Sequence, residues 1–433
     1  MSADLRFELL AWLSSEVGND AERASYGDLS IRAGDITLSF VIDNLARSPR
    51  DSIHVSLNHL ARWFADSWWR LRWEPEPRGG GPSHAWRMAH EMTAAGGGFV
   101  WPQIYFRSDG ETILLSARHT SAKHAIQYIG DHEIVCEAKA VERGIDAFMS
   151  SVLARQQSIS ARDPVLAEIW QAVQEERQDP EATLFRKLEA MMGFDPGEIE
   201  ADEVGRLLDE ASWMGEGAVL EVLTGAGSDA KAIVEQVGEL RARASVNLNL
   251  RTVYEAAASW QGPQAGLEPW QNGDSLARHL RERWNLGDGP VSDDRLREIL
   301  EGDVLSEAAW IAAGDFSLGF RENGALHPAF RANKRREGRR FAIARMLADA
   351  AFAGPDGDVL PVTESKTARQ KFQRAAAQEL LCPVEAIEAR LDGPDPDDEK
   401  LSEIADEYGV SAFVVRNALV NKQVLPRSYL PAS

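Results

Sequence analysis

Residues Gly338–Phe352 read GRRFAIARMLADAAF, and Phe341, Ala344, Leu347 and Ala348 within them recur at three- and four-residue spacing. That spacing predicts a helix with one buried face. The run leading into it is strongly basic: Arg331, Lys334, Arg335, Arg336, Arg339 and Arg340. Such a cluster reads either as a solvated loop entering a helix or as a contact for nucleic acid or an acidic protein.

C-terminal to this helix, the acidic stretch DGPDPDDEK, Asp392 to Lys400, reads as a solvated linker. The segment EKLSEIADEYGVSAFVVRNALVNKQVL follows. Leu401, Ile404, Val410, Val414 and Leu419 supply an apolar seam, Ala405 is small, and Gly409 sits where a turn is needed. This is helix-turn-helix spacing, with Ser411 as N-cap of the second helix. If that helix entered a major groove, Ser411, Ala412, Arg416 and Asn417 would lie near base edges. Lys422 and the upstream Arg335 and Arg336 are the cations expected to meet phosphate.

Toward the N-terminus, residues 1–155 predict a mixed α and β domain. ITLSFVID from Ile36 and IHVSLNHL from Ile53 read as strands, and WPQIYFRSDGETILLSA reads as a hairpin about Asp109-Gly110. ARWFADSWWRLRWEPEP predicts a helix that breaks at Pro75 and Pro77. Its Trp63, Trp68, Trp69 and Trp73 read as core joining helix to sheet, with a ligand pocket as the other use. Asp163-Pro164 and Asp179-Pro180 open helices, and residues 156–263 predict an all-helical middle, with Gly262-Pro263 as its end.

The full chain has 433 residues, 44% hydrophobic and 27% charged, which suits two or three globular domains. It holds no unbroken apolar run of the roughly 18 residues a membrane span needs, and its start lacks a secretion signal. The expectation is a cytoplasmic protein without a membrane partner. Cys136 and Cys382 are too far apart in sequence to form a metal knuckle. The pairs His84/His90, His119/His124 and His132/Cys136 lack ligand spacing for the elements they fall in. A net charge of −21 opposes general coating of nucleic acid. No phosphate-binding glycine loop, dinucleotide motif or nucleophile elbow occurs in the N-terminal region.

GRRFAIARMLADAAF and QKFQRAAAQELLCP, Gln370 to Pro383, together resemble the two signatures of the ImmA/IrrE-type zinc peptidases. Arg339, Arg340, Phe341, Ile343 and Ala344 match the framework of the first signature. Ala377, Leu380, Leu381 and Pro383 match the second. WQNGDSLARHLRERWNLGDGPVSDDRLREIL, from Trp270, is similar to the family's opening Gly-x-x-Leu-Ala helix and the helix after it. The resemblance covers residues 264–433 and implies a mostly helical, zincin-like domain, in which a terminal helical pair is part of the fold.

An HExxH site needs two imidazoles one helical turn apart, a glutamate between them and a further ligand from elsewhere. Here the first His position is Arg345, the Glu position is Met346 and the second His position is Asp349. The third-ligand position falls on Gln370, within one residue. The resemblance therefore implies a pseudopeptidase with no metal and no cofactor. The fold class expected for the whole chain is α+β, in three parts: 1–155, 156–263 and 264–433. The function expected is a non-catalytic scaffold or regulator that binds a protein segment. The regulatory setting, whether phage defence, mobile elements or stress, is implied by the resemblance alone. The other readings are a DNA-binding regulator using residues 401–425 and an enzyme with an unrecognised N-terminal site.

Overall fold

The computed structural model describes residues 3–77, 81–120, 124–226, 229–264, 266–312, 314–322, 324–332, 335–355, 359–391, 393 and 395–430. The chain is α+β and divides into two compact units, 1–204 and 205–433.

In the first unit, the Leu57–Trp73 helix is clasped by small antiparallel sheets. Leu5–Trp12 pairs with Tyr26–Ala33, which also pairs with Ile36–Thr37 and Ile53–Ser56. Gln103–Ser108, Thr112–Arg118 and His132–Glu137 form a meander. The turn expected at Asp109-Gly110 is present. The Asp109 carboxylate accepts from the Glu111 and Thr112 backbone N–H, and Gly110 takes a φ of 98° that a side chain would resist. Two strand expectations need shortening. Ile36–Asp43 is broken into Ile36–Thr37 and Val41–Asp43, because Ser39 turns inward, donating to the Asp51 carbonyl and accepting from Ile31 N–H. The Ile53 strand ends at Ser56, where the helix begins.

Trp63, Trp68 and Trp69 are buried in the core. Trp68 meets Trp170 edge-on with ring centroids 5.5 Å apart. The indole N–H of Trp63 donates to the Met88 carbonyl, and that of Trp69 donates to Glu176. Each ring thus buries its carbon surface with its one polar group satisfied. Phe64 packs against Phe7, Phe106 and Phe148, tying the helix to two sheets and to the Ala138–Ser158 helix.

Asp163 and Asp179 cap the helices Pro164–Glu176 and Pro180–Met191, each accepting two backbone N–H groups. The helical stretch 156–263 is shared between the units. Leu166, Trp170, Val173 and Ala190 join the first core, while Leu248, Leu250, Val253 and Ala256 join the second.

In the second unit, four strands run in the order Trp310–Ala312, Ala325–Arg331, Ser317–Glu322, Leu360–Val362. The first pairing is parallel and the other two are antiparallel. The Arg336–Ala353 helix packs on this sheet, its Met346 against Gly319. The helices Pro269–Arg283 and Ala368–Leu381 lie close together at Gly273, where a Cβ would come within 2.4 Å of the Phe372 carbonyl oxygen. Among the described residues, no helix is long and apolar enough to cross a membrane.

Candidate functional site

The site lies within the second unit, where the Arg336–Ala353 helix faces the Ala368–Leu381 helix. Alanines at 344, 348, 350 and 351 are nearly all buried, and their small size lets neighbouring backbone approach. Arg345 and Asp349 stand one turn apart on the same helix face. Thr367 caps the facing helix by accepting from Gln370 N–H, so that Arg369 and Gln370 emerge in its first turn.

Of the four positions singled out by the resemblance, Arg345 and Gln370 share one buried polar network, and Asp349 is buried in an ion pair with Arg369. Arg345 Nη2 donates to Gln370 Oε1 at 2.5 Å and to the Thr363 carbonyl. Gln370 Oε1 also accepts from Thr363 N–H at 3.1 Å, and its amide nitrogen donates to the Pro361 carbonyl at 3.2 Å. Asp349 is fully buried and receives Arg369 through two hydrogen bonds, 2.8 and 2.7 Å. The fourth position, Met346, is buried against the sheet.

Residues outside the two signatures complete the network. Glu221 is buried and accepts from Thr367 Oγ1 at 2.9 Å and from Ser365 Oγ at 3.4 Å. Glu364 lies 3.6 Å from Arg345 and 3.8 Å from Arg374. Nothing near Glu221 in sequence signals this role. Arg369 is more legible, because a buried carboxylate at 349 requires a cation.

Burial pushes the Glu221 carboxyl above the usual carboxylate range, opposed by the Thr367 hydroxyl and the Arg369 charge. Burial, followed by repulsion from Arg374, lowers the Arg345 guanidinium to about 9, which leaves it charged at neutral pH. The residues present do not fit a divalent cation. A guanidinium stands at one expected imidazole position and a neutral amide at the third-ligand position, a thioether occupies the general-base position, and the one carboxylate among them is already neutralised by Arg369.

Arg345 also lines a cleft of about 1100 Å³. One wall is the outer face of the Ala368–Leu381 helix, with Lys371, Arg374, Ala375 and Gln378. The Ala412–Asn421 helix also lines it with Phe413, Val414 and Asn417, as does Trp270. No histidine or cysteine lines the cleft among the described residues. Of its two serines, Ser317 accepts from Arg331 N–H and Ser411 caps its helix.

The helices Asp398–Tyr408 and Ala412–Asn421 are joined through Gly409 at φ 62°. Ser411, Asn417, Lys422 and Arg335, named above as nucleic-acid contacts, all line the concave cleft. Lys422 is held by Asp274 at 2.5 Å and lies over the Trp270 ring. Arg416 pairs with Asp398 at 2.8 Å, and Arg336 pairs with Asp293 at 2.7 Å. In the same cluster, Arg339 pairs with Glu307. Arg340 is buried, bonded to Asp293 and to the carbonyls of Val291 and Gly409. Lys334 lies outside the described residues.

No family model matches the chain, and no curated protein or solved structure matches it either. The chemistry available to the site therefore rests on its geometry. That geometry offers a buried guanidinium, exposed aromatic surface and side-chain amides around one cavity.

Proposed function

We propose that the second unit is a non-catalytic binding module, a zincin-like pseudopeptidase of ImmA/IrrE type that holds a segment of a partner protein in its former substrate cleft. The observation that carries this reading is Arg345 lining the cleft while bonded to the buried Gln370, with Asp349 buried one turn along the same helix in an ion pair with Arg369. Those positions were singled out by resemblance to metal-ligand positions on two separate helices, and a polar network has taken their place. A cleft of this size suits a short extended peptide, since ligand sites of about 300–1,000 Å³ bury most of a small ligand. The wider role is regulation by capture, in the settings the resemblance implies.

Reading DNA through residues 401–425 finds less support. A helix whose polar face lines a concavity is poorly placed to enter a major groove, and the cations at 336, 416 and 422 are engaged by carboxylates of the same chain.

The full chain can be panned against a displayed library of random dodecapeptides. It should retain a family of related sequences, and Ala375→Trp, which fills the cleft, should release them. Failure to enrich any sequence, or peptides indifferent to the filled cleft, would overturn the proposal.

A further inference from the structure

We infer that the segment held in this cleft is acidic, and that it places an Asp or Glu carboxylate on Arg345, flanked by an apolar side chain against Phe413 and Trp270. The inference rests on the peptide-binding reading above and names the chemistry of the ligand.

The first observation is the unfinished bonding of Arg345. Its side chain is only 5% exposed, yet it lines the cleft. Nη2 is fully used, by the Thr363 carbonyl and Gln370 Oε1. Nε has no hydrogen-bond partner, and among the described residues Nη1 has only the 3.6 Å ion-pair contact with Glu364, too long for a hydrogen bond. A buried guanidinium normally has its donors satisfied. One that faces a cleft with Nη1 unfilled is matched by a carboxylate oxygen arriving there.

The second observation is the charge around that floor. Arg374 and Lys371, one turn apart, stand on the adjoining wall, and Arg331 and Arg335 stand on the other side. Arg374 repels Arg345, and among the described residues the six cationic side chains lining the cleft outnumber its five carboxylates. An incoming carboxylate relieves that repulsion.

The third observation is apolar. Phe413 is 53% exposed and Trp270 36% exposed at the cleft, a large surface for one aliphatic or aromatic side chain. The combination favours an isolated carboxylate among apolar residues over a polyphosphate. Asp315, Glu337 and Asp406 also line the cleft, and the chain's charge of −21 repels an extended polyanion.

The composition of the peptides retained by the full chain tests this directly. The expected result is an Asp or Glu at one fixed position next to Leu, Phe or Trp. The synthetic peptide of the most enriched sequence should bind about tenfold more weakly when that acid is changed to its amide. A similar loss is expected on Arg374→Gln, a half-exposed position whose change spares the core. Arg345→Met should abolish binding; the Arg374 variant keeps the test sound if Arg345→Met does not fold. Basic or purely apolar peptides that are still displaced by Ala375→Trp would overturn the acidic ligand while leaving the cleft reading intact. So would an acidic peptide indifferent to Arg374→Gln. Peptides indifferent to Ala375→Trp would overturn both.

Discussion

Arg345 Nη2 lies 2.5 Å from Gln370 Oε1, although the two residues stand on different helices, 25 positions apart. Both are almost wholly buried, so the bond forms where water does not compete. Arg345→Met removes a charged donor and leaves the Thr363 carbonyl with Arg374 as its remaining side-chain donor, at 3.3 Å. The expected cost is about 2–4 kcal/mol, read as a lowered urea midpoint. Adding Gln370→Leu should cost more still, because Thr363 N–H then loses its acceptor, but less than the same change costs in the parent, where it also removes the Arg345 bond. Strictly additive costs would show that the two side chains are not coupled.

Glu221 gives the network a pH dependence of known sign. Its carboxyl is held above the usual range by burial, so the folded state binds the proton more tightly than the unfolded chain does. Its stabilising contribution is complete below the ordinary Glu value of about 4.3 and is lost as pH rises through the folded value. Glu221→Gln keeps an oxygen for the Thr367 hydroxyl and removes the charge. The variant should therefore gain stability relative to the parent as pH rises from about 4.5 to 7.5. Urea midpoints across that range decide the matter, and an advantage that shrinks with rising pH would refute it.

Much of this fold was legible because local chemistry dictates it. Asp163 and Asp179 precede prolines and cap helices; Asp109-Gly110 can do little but turn. The Trp block reads as core because its spacing places several rings on one helix. The sheet of the second unit was missed. FSLGF and LHPAF are short apolar runs that helix periodicity does not flag. The site was legible only where the resemblance singled positions out. Arg345, Asp349 and Gln370 could be found by the residues around them, whereas Glu221 comes from a helix with no motif of its own. Whether a cation binds a ligand or its own chain is also invisible in sequence. The arginines at 335, 336, 339 and 340 look alike in sequence, yet Arg340 is buried while Arg336 is exposed.

That last difference makes a prediction. Asp293 receives both Arg336 and Arg340, and those two guanidinium groups hold its carboxyl below the usual carboxylate range in spite of partial burial, which acts in the opposite direction. Asp293→Asn strands Arg340, which also ties the carbonyls of Val291 and Gly409 together. The expected loss is about 3 kcal/mol. Arg336→Gln changes an exposed partner of the same carboxylate and should cost less than about 1 kcal/mol. Equal losses in thermal or urea unfolding would mean that Arg340 is not the group that matters.

The proposed kinship with zinc peptidases can be tested by introducing ligands. In one chain, Arg345→His and Asp349→His set two imidazoles one turn apart, and Gln370→Glu sets a carboxylate on the facing helix, where the native side chain already touches residue 345. Arg369→Ala must accompany them, since its charge would otherwise remain beside the metal without Asp349. If the two helices keep the spacing of a metal site, the variant should bind one Zn²⁺ per chain, with a Kd below about 1 µM by competition with a chromophoric chelator. The parent chain should compete with the chelator no better than buffer. A control that keeps Gln370 should bind more weakly, because it supplies only two strong ligands. A variant that stays folded by circular dichroism and yet binds no zinc would show that the helices do not bring these positions to ligand distance, and the pseudopeptidase reading would fall with it.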